Sequence, residues 1–545
     1  MSQPPYGQQP PHQGGGTPPP PPGYGPPAQG QPAPPPGYGQ QPGYGQPQYV
    51  QAQPGYGQQQ WGQAPMHQQP QKKSSVGKWV AFGAAGVIGV GLLGGGALFA
   101  FSKINGGGPQ PESALPSNAF AFAKVDLDPS ADQKVDMFRF ARKFPGVKEE
   151  LQGVDEDGDL RKEIFEAIQE EGGLEGVDYA ADVEPWLGQR FGVAAVPAAD
   201  GGDEPSAVVA FASTDEDAAS DGLAKATQDG GYCSVQEDYA ICGEEQSVVD
   251  KAVNDAANES LEDSDTFSQD MDDLGEDGIL TAWADGKKLG EYADLVDPTA
   301  SVPEGDAAKG RFAMAVRFDG PTLEVAGRAN DLPEGSVPSG DGSSVGDLPA
   351  DTIGALGITG LDEAVKNAWP EIDSTLQETM GDSWTQSRDS FTQQYGISLP
   401  DDVAKAVGSD AVLALGANGP EPEVAFRSNG DRAVVDKLLT GDTGSTPITV
   451  KDGKDDTYVV GSSDGYADSV GSDGGLGDSD AFKDAVPDAD DASMIGYVDV
   501  SKAVEAFGDE MDDETRSYVE PLSAVGISAS GEEDHADYRL RITTK

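Results

Sequence analysis

Apolar and polar residues follow strand and helix patterns along residues 115–545. Phe120–Leu127 alternates with a period of two, which predicts a half-buried strand. Val135, Phe138 and Ala141 recur at helical spacing and predict a helix after the start signal that precedes them. Similar patterns predict strands at 191–196, 207–212, 278–283, 312–318 and 323–328, and helices at 215–227 and 246–257. Strand pairs joined by short turns favour a mainly antiparallel sheet with helices packed on one face, an α+β fold class.

The same order of short segments occurs twice, at an offset that shrinks from 233 to 214 residues. The matching pairs begin at residues 115 and 348, 182 and 402, 209 and 424, 263 and 478, and 283 and 497. We therefore predict two homologous domains, copy 1 over 115–331 and copy 2 over 348–545, separated by a Gly/Ser/Pro-rich linker over 332–347. Each copy has roughly 200 residues and can hold its own core.

Residues 79–101 contain no charged side chain, which predicts one transmembrane α-helix. Lys72, Lys73 and Lys78 precede this stretch and only Lys103 follows it closely, so the N-terminus is expected in the cytoplasm. The segment begins too late for a cleaved signal peptide and fits a signal anchor. The expected localisation is the cell membrane, with residues 102–545 extracytoplasmic and 102–114 as a flexible tether.

Glycines in this span could allow two spans to approach closely and dimerise. Before the span, residues 1–71 consist mainly of Pro, Gly, Gln and Tyr, with the unit Pro-Gly-Tyr-Gly repeated four times. So few aliphatic residues cannot offset the entropy cost of ordering, and a disordered, proline-rich cytoplasmic tail is predicted.

Charge and composition narrow the classes of function. Thirty-five basic against 94 acidic residues give 35 − 94 = −59, which excludes nucleic acid as an expected partner. Two cysteines and three histidines leave little for zinc or thiol chemistry, so no cofactor is expected. Cys233 and Cys242 lie opposite each other in a predicted hairpin, where a disulfide would act as a local staple.

The sequence contains two candidate functional motifs, one of a serine hydrolase and one of a calcium loop, and neither is a specific signal. Ser463 lies in a Gly-x-Ser-x-Gly pattern between a strand and a short helix, and His535 is the histidine that could serve it. The same pattern recurs in the linker, which shows how easily this composition produces it.

Acidic residues at positions 1, 3, 5 and 12 of a calcium-loop template are Asp155, Asp157, Asp159 and Glu166, but Leu160 stands where the template needs glycine. The alternative is a solvated acidic loop that leads into a helix over 160–170.

The sequence resembles a known family in Leu115-Pro-Ser-Asn-Ala-Phe, Asp126-Leu-Asp-Pro129 and the segment 138–146. It is similar to actinobacterial single-pass membrane proteins catalogued as a domain of unknown function, and the similarity covers residues 70–545. The resemblance implies an envelope location and no established activity.

We therefore expect a membrane-anchored envelope protein, not an enzyme, that acts as a binding or scaffolding module for an unknown envelope protein or ligand. The alternatives are an extracytoplasmic serine hydrolase that uses Ser463 and His535, and a calcium-dependent surface adhesin.

Overall fold

A computed structural model gives the fold. It describes residues 108–144, 159–170, 174, 176–199, 202, 204–228, 230–292, 309–333, 342–418, 421–439, 448–472, 474–532 and 534–545. The predicted tail over 1–71, the predicted transmembrane helix over 79–101 and the tether up to residue 107 lie outside these residues.

The membrane part of the prediction is corrected by the structure. Among the described residues, each helix is too short or too polar to cross a bilayer. The fold class with one transmembrane helix, and the cell-membrane localisation derived from it, are therefore not retained.

Copy 1 contributes eight strands and six α-helices in the described part of the chain. The strands are β1 Ala121–Asp126, β2 Leu187–Val196, β3 Ser206–Ser213, β4 Tyr232–Val235, β5 Tyr239–Gly243, β6 Leu280–Asp285, β7 Arg311–Asp319 and β8 Thr322–Asn330. The helices are α1 Ala131–Ala141, α2 Leu160–Glu170, α3 Glu216–Ala226, α4 Gln246–Asn258, α5 Asp265–Leu274 and α6 Gly286–Glu291.

Copy 2 repeats this order with eight strands and eight α-helices among its described residues. The strands are β9 Gly354–Thr359, β10 Asp410–Asn418, β11 Glu421–Ser428, β12 Thr449–Asp452, β13 Tyr458–Gly461, β14 Met494–Asp499, β15 Leu522–Gly531 and β16 Ala536–Thr544. The helices are α7 Leu361–Met380, α8 Asp382–Tyr395, α9 Asp401–Val407, α10 Arg432–Leu439, α11 Asp464–Val470, α12 Asp480–Ala485, α13 Val500–Phe507 and α14 Asp513–Val519.

The two copies share one sheet, which corrects the prediction of a separate sheet in each domain. Its sixteen described strands run in the order β12-β13-β11-β10-β9-β14-β15-β16-β8-β7-β6-β1-β2-β3-β5-β4, and every neighbouring pair is antiparallel. Each copy supplies one half in the same internal order. The halves meet where the last strand of copy 1, β8, pairs with the last strand of copy 2, β16.

The junction between β8 and β16 has an approximate twofold axis. Ala326 lies opposite Arg539, and pairs on either side of this position repeat each other. Arg328 Nη1 lies 2.9 Å from Asp537 Oδ2, and Arg541 Nη1 lies 2.5 Å from Glu324 Oε2. Since 541 − 328 and 537 − 324 both equal 213, the two copies exchange equivalent ion pairs across the axis.

Helices lie against both faces of the sheet, not one face as predicted. We call the two faces A and B. Alternate residues of β3 show the difference: Val208 packs on face A with Val248 of α4, while Val209 packs on face B with Leu223 of α3.

Face A holds the main core of each copy. In copy 1 the ring of Phe267 from α5 meets Trp283 of β6 edge-on at 5.5 Å, and in copy 2 Phe482 of α12 meets Tyr497 of β14 at 5.1 Å. These four residues are 5% exposed or less. The duplication read from the sequence thus reappears as equivalent aromatic pairs.

Candidate functional site

Face B carries a row of apolar residues that crosses the whole sheet. Antiparallel pairing places one residue of each strand at the same level, and side chains at directly paired positions point to the same face. From one edge to the other the row reads Val450, Val460, Phe426, Leu413, Leu356, Gly496, Ile527, Leu540, Val325, Val316, Leu280, Val125, Phe191, Phe211, Ala240 and Val235. Fifteen of the sixteen are apolar side chains and one is glycine, so we call it the apolar row.

The apolar row is open over copy 2 and the centre of the sheet. Leu356, Leu413 and Ile527 are 45%, 46% and 44% exposed, although each lies in the middle of the sheet. On the two levels that flank the row on the same face, Val498 on one side and Tyr538 on the other are 43% and 44% exposed. A contiguous apolar surface of this kind is uncommon on a monomeric protein and marks a place of interaction.

In copy 1 the same face is covered by helices. Met137 and Phe140 of α1 pack with Phe318 at the end of β7 and with the row residue Val316, and the next row residues, Leu280 and Val125, are buried. Farther along the row, α2, α3 and the short π-helix Tyr179–Val183 cover β2 and β3.

Copy 2 has this cover only at one end of face B, where Tyr458 and Ser428 donate to the carbonyls of Ala406 and Val407 of α9 at 2.6 and 2.7 Å and α10 packs on α9. The rest of the face is open because the equivalent segment folds differently. Between β9 and β10 the chain forms α7 and α8, which pack on each other: Trp384 Nε1 donates to Asp373 Oδ1 at 2.8 Å, and Arg388 donates to the same oxygen at 2.9 Å. Both helices are described along their whole length, and none of their side chains is buried. Ile372 and Met380 of α7 are 43% and 47% exposed.

Between the helices of copy 1 and face B lies an apolar cavity. The cavity itself has a volume of about 50 Å³, and the figure rises to about 660 Å³ when its open mouth and the solvent space in it are included. Its helical wall is formed by Ile164 and Phe165 of α2, Val183 of the π-helix, and Leu223 and Ala226 of α3. These residues come from three separate segments that pack over the same strands.

The floor of the cavity belongs to the sheet. Leu187 and Phe191 of β2 and Phe211 of β3 line it, and two of them are members of the apolar row. Trp186 closes one side, where its Nε1 donates to the carbonyl of Asp182 at 2.7 Å. With its one polar group thus bonded, the indole presents only carbon surface to the cavity.

Among the described residues that line the cavity, Arg161 is the one that carries a charge, and that charge is compensated. Its guanidinium donates to both carboxylate oxygens of Asp159 at 2.7 and 2.6 Å and to the carbonyl of Leu187. Burial disfavours the charged form of Asp159, but hydrogen bonds from Arg161 and Tyr179 outweigh burial and lower the pKa of the carboxyl. Burial, together with the bond to Asp159, raises the pKa of the Tyr179 hydroxyl. This ion pair fixes the start of α2 and leaves no free charge on this arginine.

The structure does not bring the two predicted hydrolase residues together. Ser463 caps the start of α11, where its Oγ accepts from the amide of Tyr466 at 3.1 Å and donates to Glu423 at 2.5 Å. His535 lies in the turn between β15 and β16, beside Asp534 at 3.1 Å. Five strands separate β13 from β16, at about 4.8 Å per step.

The structure describes two of the four predicted calcium ligands, and each of the two has a basic partner. Asp155 and Asp157 lie outside the described residues. Asp159 is held by Arg161, and Glu166 lies 3.6 Å from Lys162 on the exposed side of α2. Within the part of the chain that the structure describes, acidic, histidine and cysteine side chains form no cluster that could hold a metal ion.

Cys233 and Cys242 form a disulfide, with an S–S distance of 2.06 Å, between paired positions of β4 and β5. This bridge lies on face B at the edge strand of copy 1. It is a structural element and lies outside the cavity lining.

Sequence reasoning missed both the apolar row and the cavity. Alternation along each strand shows which residues share a face, but the row depends on the register between strands that are far apart in sequence. The cavity combines five segments between residues 161 and 226. The available signal was the apolar content of both faces of β2 and β3, which is typical of a strand covered on both sides.

Comparisons with known proteins give little beyond a family description. Residues 82–240, 159 of the 545 in the chain, match the family model described as "Protein of unknown function (DUF3352)". The match confirms that the chain contains an uncharacterised domain of unknown function and spans β1 to β5. No curated protein matches the chain. A solved structure titled "Structure of crystal form III of TP0453" matches with a TM-score of 0.22 and 8% identity, over 42% of this chain and 82% of that chain. A score this low carries no argument.

Proposed function

We propose that the chain is a non-catalytic binding module and that its ligand is apolar. The observation that carries the proposal is the cavity of copy 1, whose lining is apolar apart from the compensated Arg161. Ligand sites are usually mainly apolar clefts with a few polar groups that fix orientation. Here such groups are nearly absent, so shape and apolar surface select the ligand.

The energy for binding comes from removing apolar surface from water. Buried apolar area contributes about 25 cal/mol per Å². Side chains that line an unfilled space also lack partner atoms for dispersion contacts, and an apolar ligand supplies these partners. A ligand with hydrogen-bonding groups along its length would leave them unsatisfied in the cavity and would bind more weakly.

Filling the cavity with a larger side chain tests the proposal. In the Leu223→Trp variant an indole replaces an isobutyl group on the cavity wall and occupies the space of the ligand. We expect the affinity for an apolar fluorescent probe such as 1-aminoanthracene to fall about tenfold or more, which corresponds to about 1.4 kcal/mol. Titration followed by probe fluorescence measures this change.

Ala224→Trp is the matched control, since Ala224 is exposed on the same helix α3 and lies outside the lining. It should bind the probe like the parent chain. Equal binding by the Leu223 variant and this control, with both folded by circular dichroism, would show that the cavity is not the binding site.

A further inference from the structure

We infer that the open part of face B, from β11 to β16, is a second binding surface and that its occupant is the acyl chain of a single long-chain lipid. The inference extends the proposed function from the cavity to a separate place on the same face. We call this surface the open face. Its central residues are Phe426, Leu413, Leu356, Ile527 and Leu540, one level of the apolar row.

The open face is apolar on more than one level. Beside the row, one neighbouring level carries Val424, Leu415, Val498 and Val525 at paired positions, interrupted by Gly354, and ends at Ile542, which packs against the α1 cluster. Val424 and Val498 are 44% and 43% exposed. The surface is therefore several side chains wide as well as six strands long, which exceeds a scatter of single exposed residues.

The dimensions of the open face fit an extended hydrocarbon chain. Six strands are separated by five steps of about 4.8 Å, so the surface runs for about 24 Å. One leaflet of a bilayer core is about 15 Å thick, half of the roughly 30 Å total, and this is the length of one lipid chain in a membrane. An acyl chain lying across the strands would remain on apolar side chains along its whole length.

A second copy of this chain fits the open face poorly. Each chain carries a net charge of −59, and two such chains repel each other. A protein partner would also bring polar groups, because interfaces between proteins carry about one hydrogen bond per 100–200 Å². The row residues of the open face offer no hydrogen-bonding side chain to match them, and the Tyr538 hydroxyl is the one such group among the flanking side chains named above.

Continuity with the cavity supports the same ligand chemistry. The apolar row that crosses the open face continues through Val325, packs against the α1 cluster at Val316, is buried at Leu280 and Val125, and reaches Phe191 and Phe211 in the cavity floor. The buried stretch separates two accessible places on one row. In copy 1 helices enclose the accessible part of the row as the cavity, whereas in copy 2 the accessible part is the open face.

The test compares two variants of the full chain in a titration with NBD-labelled stearate. Three aspartates in the open face, Leu356→Asp, Leu413→Asp and Ile527→Asp together, should weaken one class of sites about tenfold or more and leave the cavity class unchanged. Leu223→Trp should weaken the cavity class and leave the open-face class unchanged. Unlabelled oleate should displace the probe from both.

Ile372→Asp with Met380→Asp is the matched control, because these residues of α7 are as exposed as those of the open face but lie outside it. The control should bind like the parent chain. If the triple variant is not folded by circular dichroism, Leu413→Asp and Ile527→Asp are measured singly, each with an expected loss of several-fold in the open-face class.

Three results would overturn the inference. One is unchanged binding of the probe by the folded open-face variants. Another is equal loss in the α7 control, which would indicate non-specific adsorption. The last is a parent chain that sediments as a dimer without lipid and becomes monomeric in the open-face variant, which would assign the surface to a second copy. A parent chain that shows only the open-face class, with binding unaffected by Leu223→Trp, would refute the proposed function and leave this inference standing.

Discussion

Glu324 is a buried carboxylate shared by three arginines at the junction of the two copies. Its side chain is 5% exposed, and its oxygens lie 2.7 Å from Arg317, 2.5 Å from Arg541 and 3.5 Å from Arg539. Burying one charge among three opposite charges is favourable only while all of them remain paired. Arg539 and Arg541 also have exposed or half-buried acidic partners, Asp488 at 3.1 Å and Asp319 at 2.9 Å, but Glu324 is the buried acid that all three arginines share.

We predict that Glu324→Ala lowers the free energy of unfolding by about 3–5 kcal/mol, since removal of one partner leaves buried charges uncompensated. Urea denaturation followed by circular dichroism measures this change.

The control is Asp537→Ala, which removes the equivalent acid on the other side of the twofold axis. Asp537 is 47% exposed beside Arg328, so the loss should be at most about 1 kcal/mol. Equal losses in the two variants would mean that burial does not set the strength of these pairs.

For single residues, the sequence predicted which secondary-structure element a residue belongs to better than it predicted whether the side chain is buried. The helix over Val135, Phe138 and Ala141 is present as α1, but Val135 is 47% exposed and the buried stripe runs instead through Met137 and Phe140. Gln133 explains the difference, since its amide exchanges hydrogen bonds of 2.7 and 2.8 Å with the backbone of Phe318. A polar residue on the buried face is invisible to a count of apolar residues.

The two edge hairpins show how equivalent elements have diverged. In copy 1, β4 and β5 are joined by the disulfide between Cys233 and Cys242, whereas β12 and β13 of copy 2 place Val450 opposite Val460 at the level of the apolar row and carry no cysteine. Edge strands are exposed to pairing with other chains, and short length limits that risk. Both edge strands have four residues.

We predict that replacing both cysteines by serine lowers the free energy of unfolding of copy 1 by about 2.5–3 kcal/mol, the loop-closure entropy of a ring of about ten residues. Hydrogen exchange of β4 amides measures the effect locally. Amides of β12 in the same sample are the internal control and should not change. Faster exchange in both hairpins would show that the bridge acts on the whole sheet.

The sequence predicted most helices and strands of copy 1. It did not predict that the strands of both copies form one sheet. The predicted strand over 312–318 and helix over 246–257 agree closely with β7 and α4. Separate sheets were predicted because each copy is long enough for its own core. The edge at β8 was not recognised as half of a junction, since its partner β16 lies more than 200 residues away and no local pattern encodes that pairing.

On the scale of the whole molecule, the sheet is held together at its centre by one strand pair. Eight residue pairs join β8 to β16, from Ala536 opposite Ala329 to Thr543 opposite Thr322. The exchanged ion pairs lie within this stretch. Each half contains its own core on face A, so the junction joins two bodies that are already packed.

We predict that cutting the chain between residues 333 and 342 leaves the two halves associated. A protease site inserted there should yield fragments that co-elute in size-exclusion chromatography and separate only in denaturant, because the ladder and ion pairs do not depend on the linker.

Val325→Pro in the cut chain is the matched disruption, since proline removes a backbone donor from the centre of the junction. The fragments of this variant should elute apart. Separate elution of the unmodified fragments in native buffer would show that the linker, not the strand pair, holds the halves.

The self-complementary contact at β8 and β16 is the kind that joins identical subunits in a dimer. When such subunits become one polypeptide, their association no longer depends on protein concentration. The two halves of such a polypeptide can also change independently, because each half has its own sequence. One half of this chain covers the middle of its face B with helices and the other leaves most of that face open, a difference that a symmetric pair of identical chains could not encode.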